Sequence, residues 1–230
     1  MRRRGLQIGL LLVLAAAAAF AGDIIERVVA TVNNRPILQS DWDEEVRYEA
    51  FVNHRPLAHL TAADRKAALD RLIDQELLRQ QIRENEEEGL LKTSPHDIEK
   101  RLQEIRKQYP GAEKAATWEA DLRSYGLRQE DVARHIALQA RLERLIDVRL
   151  RPTIHIPHSS IETYYQQQLL PELRKAGVKD VPLVEVSPRI EELLTQRKMN
   201  ELLAAWLHDL RSQSDIQMGA AAGDAGVTQR

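Results

Sequence analysis

The chain has 230 residues, no cysteine and a formal net charge of −2. The absence of cysteine excludes a disulfide framework and a lipid-modified cysteine. The weakly acidic balance gives no electrostatic reason to expect nucleic-acid binding. Charged residues make up 30% and aromatic residues 4% of the chain, which is typical of long amphipathic helices and not of a β-sandwich or barrel.

The N-terminus has the pattern of a bacterial export signal. Three arginines precede an uncharged apolar stretch from Leu6 to Ala19, and Ala19-Phe20-Ala21 offers small residues to signal peptidase. We therefore expect residues 1–21 to be a signal peptide, cleaved between Ala21 and Gly22, and the mature chain to be periplasmic with no stable membrane anchor. An uncleaved membrane anchor is the alternative, although the apolar stretch is short for a span of roughly 20 residues.

The next segment predicts a β-hairpin that leads into helices. Residues 24–38 alternate as strands do, and Asn33-Asn34 suits the positive φ angles of a tight turn. A lone hairpin is marginal in water, so another element must cover it. Ser40, with Asp43 three residues later, predicts the cap of the first helix.

The middle of the chain predicts a series of helices. Thr61 with Asp64, and Ser94 followed by Pro95, are typical helix starts. Further helices are expected around Trp118 and over Gln129–Leu150, where the apolar residues fall on one stripe.

The C-terminal part predicts two more helices and a closing strand. A helix begins at Ser159 or Ser160 and stops near Pro171, a linker covers 175–185, and Ser187-Pro188 caps the last long helix. A strand is expected over Ser214–Met218. The Gly- and Ala-rich segment 219–230 is expected to be disordered.

No catalytic constellation is evident in the sequence. The chain has no cysteine nucleophile, phosphate-binding glycine loop or nucleophile elbow. His155 and His158 straddle Pro157, so we interpret them as surface residues and not as a metal pair. His54 and His59 are interpreted in the same way. We expect no catalytic residue, metal or cofactor.

The aromatic residues allow two interpretations. Packing between helices is their usual role, but some could line an apolar groove for a client chain. The candidates for client binding are Tyr48, Phe51, Trp118, Tyr164, Tyr165 and Trp206.

Several segments, in this order, resemble the SurA family of periplasmic chaperones and its parvulin-type relatives. Val28–Asp41 is similar to the family's opening hairpin and helix. The segment from Val184 to Leu194, continuing through Trp206 to Ile216, is similar to its C-terminal helix and strand. Gly126-Leu127 with the long helix, and Ile156 to Tyr165, fit the family's layout.

The resemblance implies a mainly α fold, organised as one chaperone module over residues 22–218. The N-terminal helices (22–151), a linker with a short helix (152–186) and the C-terminal helix and strand (187–218) would form that module, with the terminal strand joined to the hairpin. It also implies unfolded outer-membrane proteins as clients, bound without ATP.

Two features depart from the family. Only 30 residues separate Pro157 from Ser187, whereas even a small domain needs about 50, so the family's isomerase domain cannot fit. Pro157 also stands where the family usually has a helix-capping residue. We therefore expect a binding module and not an enzyme. The alternatives are a prolyl isomerase, as the family label would suggest, and a helical adaptor for one specific partner.

Overall fold

The computed structural model of the chain describes residues 26–84, 91 and 93–219. The protein is mainly helical, with a small three-stranded antiparallel sheet formed by the N-terminal hairpin and a C-terminal strand, which confirms the predicted fold class. The predicted signal peptide and the tail from residue 220 lie outside the described residues.

The sheet has the strand order β2-β1-β3 and joins the two ends of the described chain. β1 (Val28–Val32) and β2 (Arg35–Leu38) form the predicted hairpin, and β3 (Ile216–Met218) pairs antiparallel with β1. The turn residues Asn33 and Asn34 have φ angles of 48° and 64°, as the Asn-Asn turn requires. The predicted pairing of the closing strand with the hairpin is therefore confirmed.

Asn33 and Gly219 fasten the closing strand at its two ends. The Asn33 backbone N–H donates to the Asp215 carbonyl at 2.8 Å, and its side-chain amide donates to Ser214 Oγ at 3.0 Å. The Gly219 N–H donates to the Val29 carbonyl at 2.9 Å. Gly219, which we expected to belong to the disordered tail, is thus part of the sheet ladder.

Helices α1 (Gln39–Val52) and α2 (Ala62–Glu84) pack against the sheet. The predicted cap at Ser40 is wrong because β2 runs straight into α1: the Leu38 N–H donates to the Asp41 carboxylate at 3.2 Å, and Asp43 instead pairs with Arg65 at 2.6 Å. The predicted start of α2 is confirmed, since Thr61 and Asp64 exchange backbone-to-side-chain hydrogen bonds of 2.8 and 3.2 Å.

The sheet core lies between these helices and the strands. It buries apolar side chains from β1, β2, α1 and α2, and Leu210 and Ile216 from the C-terminal part of the chain pack against it partly buried. Its buried members are Val29, Ala30, Val32, Ile37, Trp42, Val46, Ala68, Leu69, Leu72, Ile73 and Leu77.

Helices α3 (Pro95–Arg106), α4 (Ala115–Ser124) and α5 (Gln129–Leu150) follow. Ser94 caps α3 by accepting from the His96 N–H at 3.2 Å, and α5 has the bounds that its apolar stripe predicts. The first half of α5 closes an aromatic core with α1, α3 and α4. The buried members of the aromatic core include Tyr48, Phe51, Trp118 and Val132. In the second half of α5, Leu142 and Leu145 pack against Leu78 and Ile82 of α2 and against the last helix, α8 (Leu183–Gln213). We call this second cluster the α5–α8 core.

The helix predicted to stop near Pro171 continues beyond it. α6 (His158–Tyr164) leads through a π-turn at Tyr165–Leu169 into α7 (Leu170–Lys175). The predicted stop is wrong because the wider π-turn already interrupts the regular ladder. The missing N–H of Pro171 therefore falls where the helix is irregular anyway.

The last helix, α8, spans Leu183–Gln213 and begins four residues before the predicted Ser187 start. Pro188 lies inside it. The N–H that proline lacks would bond to the Val184 carbonyl, and Val184 is 80% exposed, so water can satisfy that carbonyl. Near its end, Arg211 donates to Asp74 at 2.6 Å and to the Asp70 carbonyl at 2.9 Å, which fastens α8 to α2.

Candidate client-binding site

Three of the six aromatic candidates lie in the aromatic core. Phe51 and Trp118 are 0% and 2% exposed, and their ring centroids are 5.7 Å apart. The Trp118 indole N–H donates to Gln129 at 3.0 Å, so its polar atom is satisfied inside the protein. Tyr48 is also buried and stacks on His135, with ring centroids 4.0 Å apart. In this structure these three side chains pack between helices.

The other candidates are divided between two places. Tyr165 is buried between α6, α7 and α8, and its hydroxyl donates to the Val181 carbonyl at 2.7 Å. Its neighbour Tyr164 is partly exposed, with the Arg197 guanidinium 5.1 Å from its ring centroid. Trp206 is partly exposed on α8, at the edge of the α5–α8 core. The structure therefore does not bring the six side chains into one groove, and client binding by any of them stays a prediction.

The face of α8 that follows Met199 is only half covered. Met199 is buried, but the apolar side chains on the next turns are all partly exposed. These are Leu202, Leu203, Trp206, Leu207 and Leu210. They recur at helical spacing, so they form a continuous apolar stripe beside α5 and α2. We call this set the α8 stripe.

An open groove of about 690 Å³ between α3, α5 and α8 meets the stripe at Leu203. Its apolar wall consists of Ala140 and Ile146 from α5 and Met199 and Leu203 from α8. The volume lies within the roughly 300–1,000 Å³ of sites that hold small ligands. Trp206 lies one turn beyond Leu203, so the apolar surface extends past the end of the groove.

Charged residues of both signs form the rim of this groove. They are Asp97, Glu143, Arg144, Asp147 and Arg151. Arg151 pairs with Asp147 at 2.5 Å and reaches Glu192 of α8 at 3.6 Å, which ties the end of α5 to α8. The groove thus has an apolar wall and a mixed, near-neutral rim that favours neither strongly acidic nor strongly basic segments.

Sequence reasoning missed this groove because it looked for aromatic side chains. Ala140, Ile146 and Leu203 were visible as members of apolar helix faces, but a helix pattern does not say which part of a face remains uncovered. The available signal was the length of the apolar face of α8, which is greater than its neighbours can cover.

A second, more polar region lies where α1, α2 and α5 meet. Glu45 is 4% exposed and accepts a hydrogen bond from Gln75 at 3.3 Å. His135 Nε2 lies 3.1 Å from Glu44 Oε1. Burial and the neighbouring Glu49 raise the pKa of Glu45 to about 7, and burial lowers the pKa of His135.

The histidines that we expected at the surface are exposed. His158 begins α6 and pairs with Glu162 at 3.2 Å, His155 lies in the extended segment before it, and His54 and His59 lie between α1 and α2. Within residues 26–84, 91 and 93–219, no cluster of three or more His, Asp or Glu side chains is arranged to hold a metal ion.

Within the same ranges, none of the helices combines the length and apolar character that crossing a membrane requires. Comparison with known proteins returned no matching family model and no matching curated protein.

Proposed function

We propose that this protein is an exported, ATP-independent chaperone that holds unfolded polypeptides, with outer-membrane proteins as the client class that the SurA-like segments imply. The observation that carries the proposal is the α8 stripe beside the open groove. A contiguous, partly exposed apolar surface beside a groove with a polar rim is typical of a binding surface.

The groove suits transient binding of an extended segment. Full burial of one Leu- or Val-sized client side chain contributes about 1.5–3 kcal/mol, and the groove has room for only a few side chains. The ordering of a flexible client opposes much of this gain. The result is weak binding at each site, so a client can leave without ATP hydrolysis.

The mixed rim supports the same function. Acidic and basic groups both border the apolar wall, so the surface repels clients of neither sign. A chaperone for many clients needs this tolerance, whereas an adaptor for one folded partner would be expected to carry a more specific charge pattern.

We propose further that the protein does not catalyse prolyl isomerisation. In the family, the isomerase domain lies between the helices that correspond to α6 and α8. Here the segment between Pro157 and Leu183 forms α6, the π-turn and α7. These short helices pack on α8 through the core that buries Ile161, Tyr165 and Ile190, which leaves no room between α6 and α8 for a separate catalytic domain.

Aggregation of an unfolded outer-membrane protein, followed by light scattering without ATP, tests the proposal. We expect suppression at near-stoichiometric ratios and a marked loss of it in Leu203→Glu, which places a charge on the groove wall. Ala205→Glu is the matched control, because it adds the same charge to an exposed position of the same helix. Unfolding temperatures of both variants separate lost binding from lost folding. Equal suppression by the two well-folded variants would contradict the proposed site.

A further inference from the structure

Two cavities lie on either side of a single polar partition. One, of about 540 Å³, lies between β2, α1, α2 and α5, and the other, of about 370 Å³, lies between α1, α2 and α5. Both are lined by Glu45, Gln75, His135 and Leu138. These four side chains therefore form the wall between the cavities, and any separation of α1 from α5 at this wall would join them.

In this wall, His135 and Glu45 can form a hydrogen bond with each other only if one of them carries an additional proton. His135 Nε2 faces the Glu44 carboxylate at 3.1 Å, so Nε2 carries a hydrogen. Its other nitrogen, Nδ1, lies 3.4 Å from Glu45 Oε2. Glu45 Oε2 is buried and has no hydrogen-bond partner, and Gln75 Oε1 is also buried without one. Two acceptor atoms, Nδ1 and Oε2, thus face each other unless a proton lies between them.

Either position of that proton would form a hydrogen bond between Glu45 and His135. A protonated Glu45 can donate to a neutral His135, and a protonated His135 can donate to an ionised Glu45. With no proton, a buried carboxylate would face a lone pair, which is costly in a site of this depth. The stacking of Tyr48 on the imidazole holds the ring in the orientation that this contact needs.

Charged groups from all three helices surround the pair. α1 contributes Asp41, Glu44 and Glu49, α2 contributes Arg71, Glu76 and Arg79, and α5 contributes Arg134 and Arg141. Burial and Glu49 raise the pKa of Glu45, while Arg71 and Arg79 oppose them. Burial lowers the pKa of His135, and Glu44 opposes it. The dominant effect for both residues is burial, which favours the neutral pair and so keeps the shared proton on Glu45.

We propose that one proton shared by Glu45 and His135 holds α1 against α5 at this wall, and that its loss on raising the pH separates the two helices locally, beside the aromatic core and the Arg134–Glu44 pair that still join them, and so joins the cavities into a single groove. The device acts within the described helices and needs no client. Its test is therefore independent of the proposed chaperone function.

Distance measurements between spin labels test the proposal. The chain has no cysteine, so Ser40→Cys on α1 and Gln139→Cys on α5 place two labels at exposed positions of the full protein. Between about pH 5.5 and about pH 8.5, the range in which histidine and a buried glutamate titrate, we expect the label distance to increase in one step.

Three substitutions in this labelled background identify the group responsible. Glu45→Gln carries a permanent donor in place of the shared proton, so the distance should keep its low-pH value throughout. Glu49→Gln removes the like charge that favours the protonated form, so the step should move to lower pH. Glu104→Gln changes a partly exposed acid of α3 in the same chemical way and should titrate as the unsubstituted protein does. A constant distance in the unsubstituted protein, or an unchanged step in Glu45→Gln, would overturn the proposal.

Discussion

Removal of the closing strand should destabilise the whole protein, although the strand is only three residues long. A truncation after Gln213 deletes β3 and with it the cover of one edge of β1. Asn33 then loses its bonds to Ser214 and Asp215, and Val29 loses the Gly219 N–H. Ile216, which packs against the sheet core, is lost as well.

The structure allows the size of this effect to be worked out. Besides the ladder between β1 and β3, four hydrogen bonds are lost: Asn33 N–H to Asp215 O at 2.8 Å, the Asn33 amide to Ser214 Oγ at 3.0 Å, Asp215 N–H to Asn33 Oδ1 at 2.9 Å and Gly219 N–H to Val29 O at 2.9 Å. At about 0.5–1 kcal/mol each, with about 1 kcal/mol for the partial burial of one Ile side chain, these contacts alone contribute about 3–5 kcal/mol, and loss of the ladder adds to it. For a chain of this length, about 2–4 °C per kcal/mol predicts a fall in melting temperature of about 10 °C.

Thermal and urea unfolding followed by circular dichroism would measure this loss. A truncation after Gly219 is the matched control, because it retains all four hydrogen bonds and Ile216, and it should unfold within about 2 °C of the full chain, the scale on which substitutions away from such contacts act. Equal destabilisation by the two truncations would refute the reasoning, since the effect could not then come from the pairing of β3 with β1.

Three further predictions follow from the structure and one from the sequence alone. Because folding raises the pKa of Glu45 from 4.5 to about 7, stabilisation by its proton is complete below pH 4.5 and lost as the pH rises through about 7. Glu45→Gln should therefore be more stable than the unsubstituted protein above pH 7, by up to about 3 kcal/mol, in urea unfolding at several pH values. Gly219→Ala should lower the melting temperature in thermal unfolding, because its methyl group would meet the Val28 carbonyl oxygen. The pure protein should not accelerate cis–trans isomerisation of a short prolyl peptide above the uncatalysed rate in a protease-coupled assay. N-terminal sequencing of exported protein should begin at Gly22, and intact Met1 in a membrane fraction would contradict cleavage after Ala21.

Much of the fold could be predicted because its signals are local. The Asn33-Asn34 turn, the Ser94 cap and the bounds of α5 depend on neighbouring residues alone, and all three are confirmed. Local sequence signals gave wrong helix bounds where the surrounding structure allowed the helix to continue. Pro188 resembles a helix start, yet α8 includes it because the proline lies in the first turns of the helix, where Val184, the residue whose carbonyl loses its partner, is 80% exposed.

The candidate site was harder to predict because exposure depends on tertiary packing. Phe51 and Leu203 both lie on apolar helix faces, but α3, α4 and α5 cover the first, whereas only part of the second is covered. The Glu45–His135 contact joins residues 90 positions apart along the chain, and neither residue stands out from its neighbours in the sequence. Only the arrangement of the three helices brings them together.

The most direct test of the chaperone proposal is photo-crosslinking from the α8 stripe. Single cysteines at Leu203→Cys and Ala205→Cys would each carry the same photoreactive label and be irradiated with several unrelated unfolded outer-membrane proteins, with and without ATP. We expect adducts with all of these clients from position 203, few from position 205 on the opposite side of the helix, and no effect of ATP. Equal yields from the two positions, or adducts with none of the clients, would contradict it.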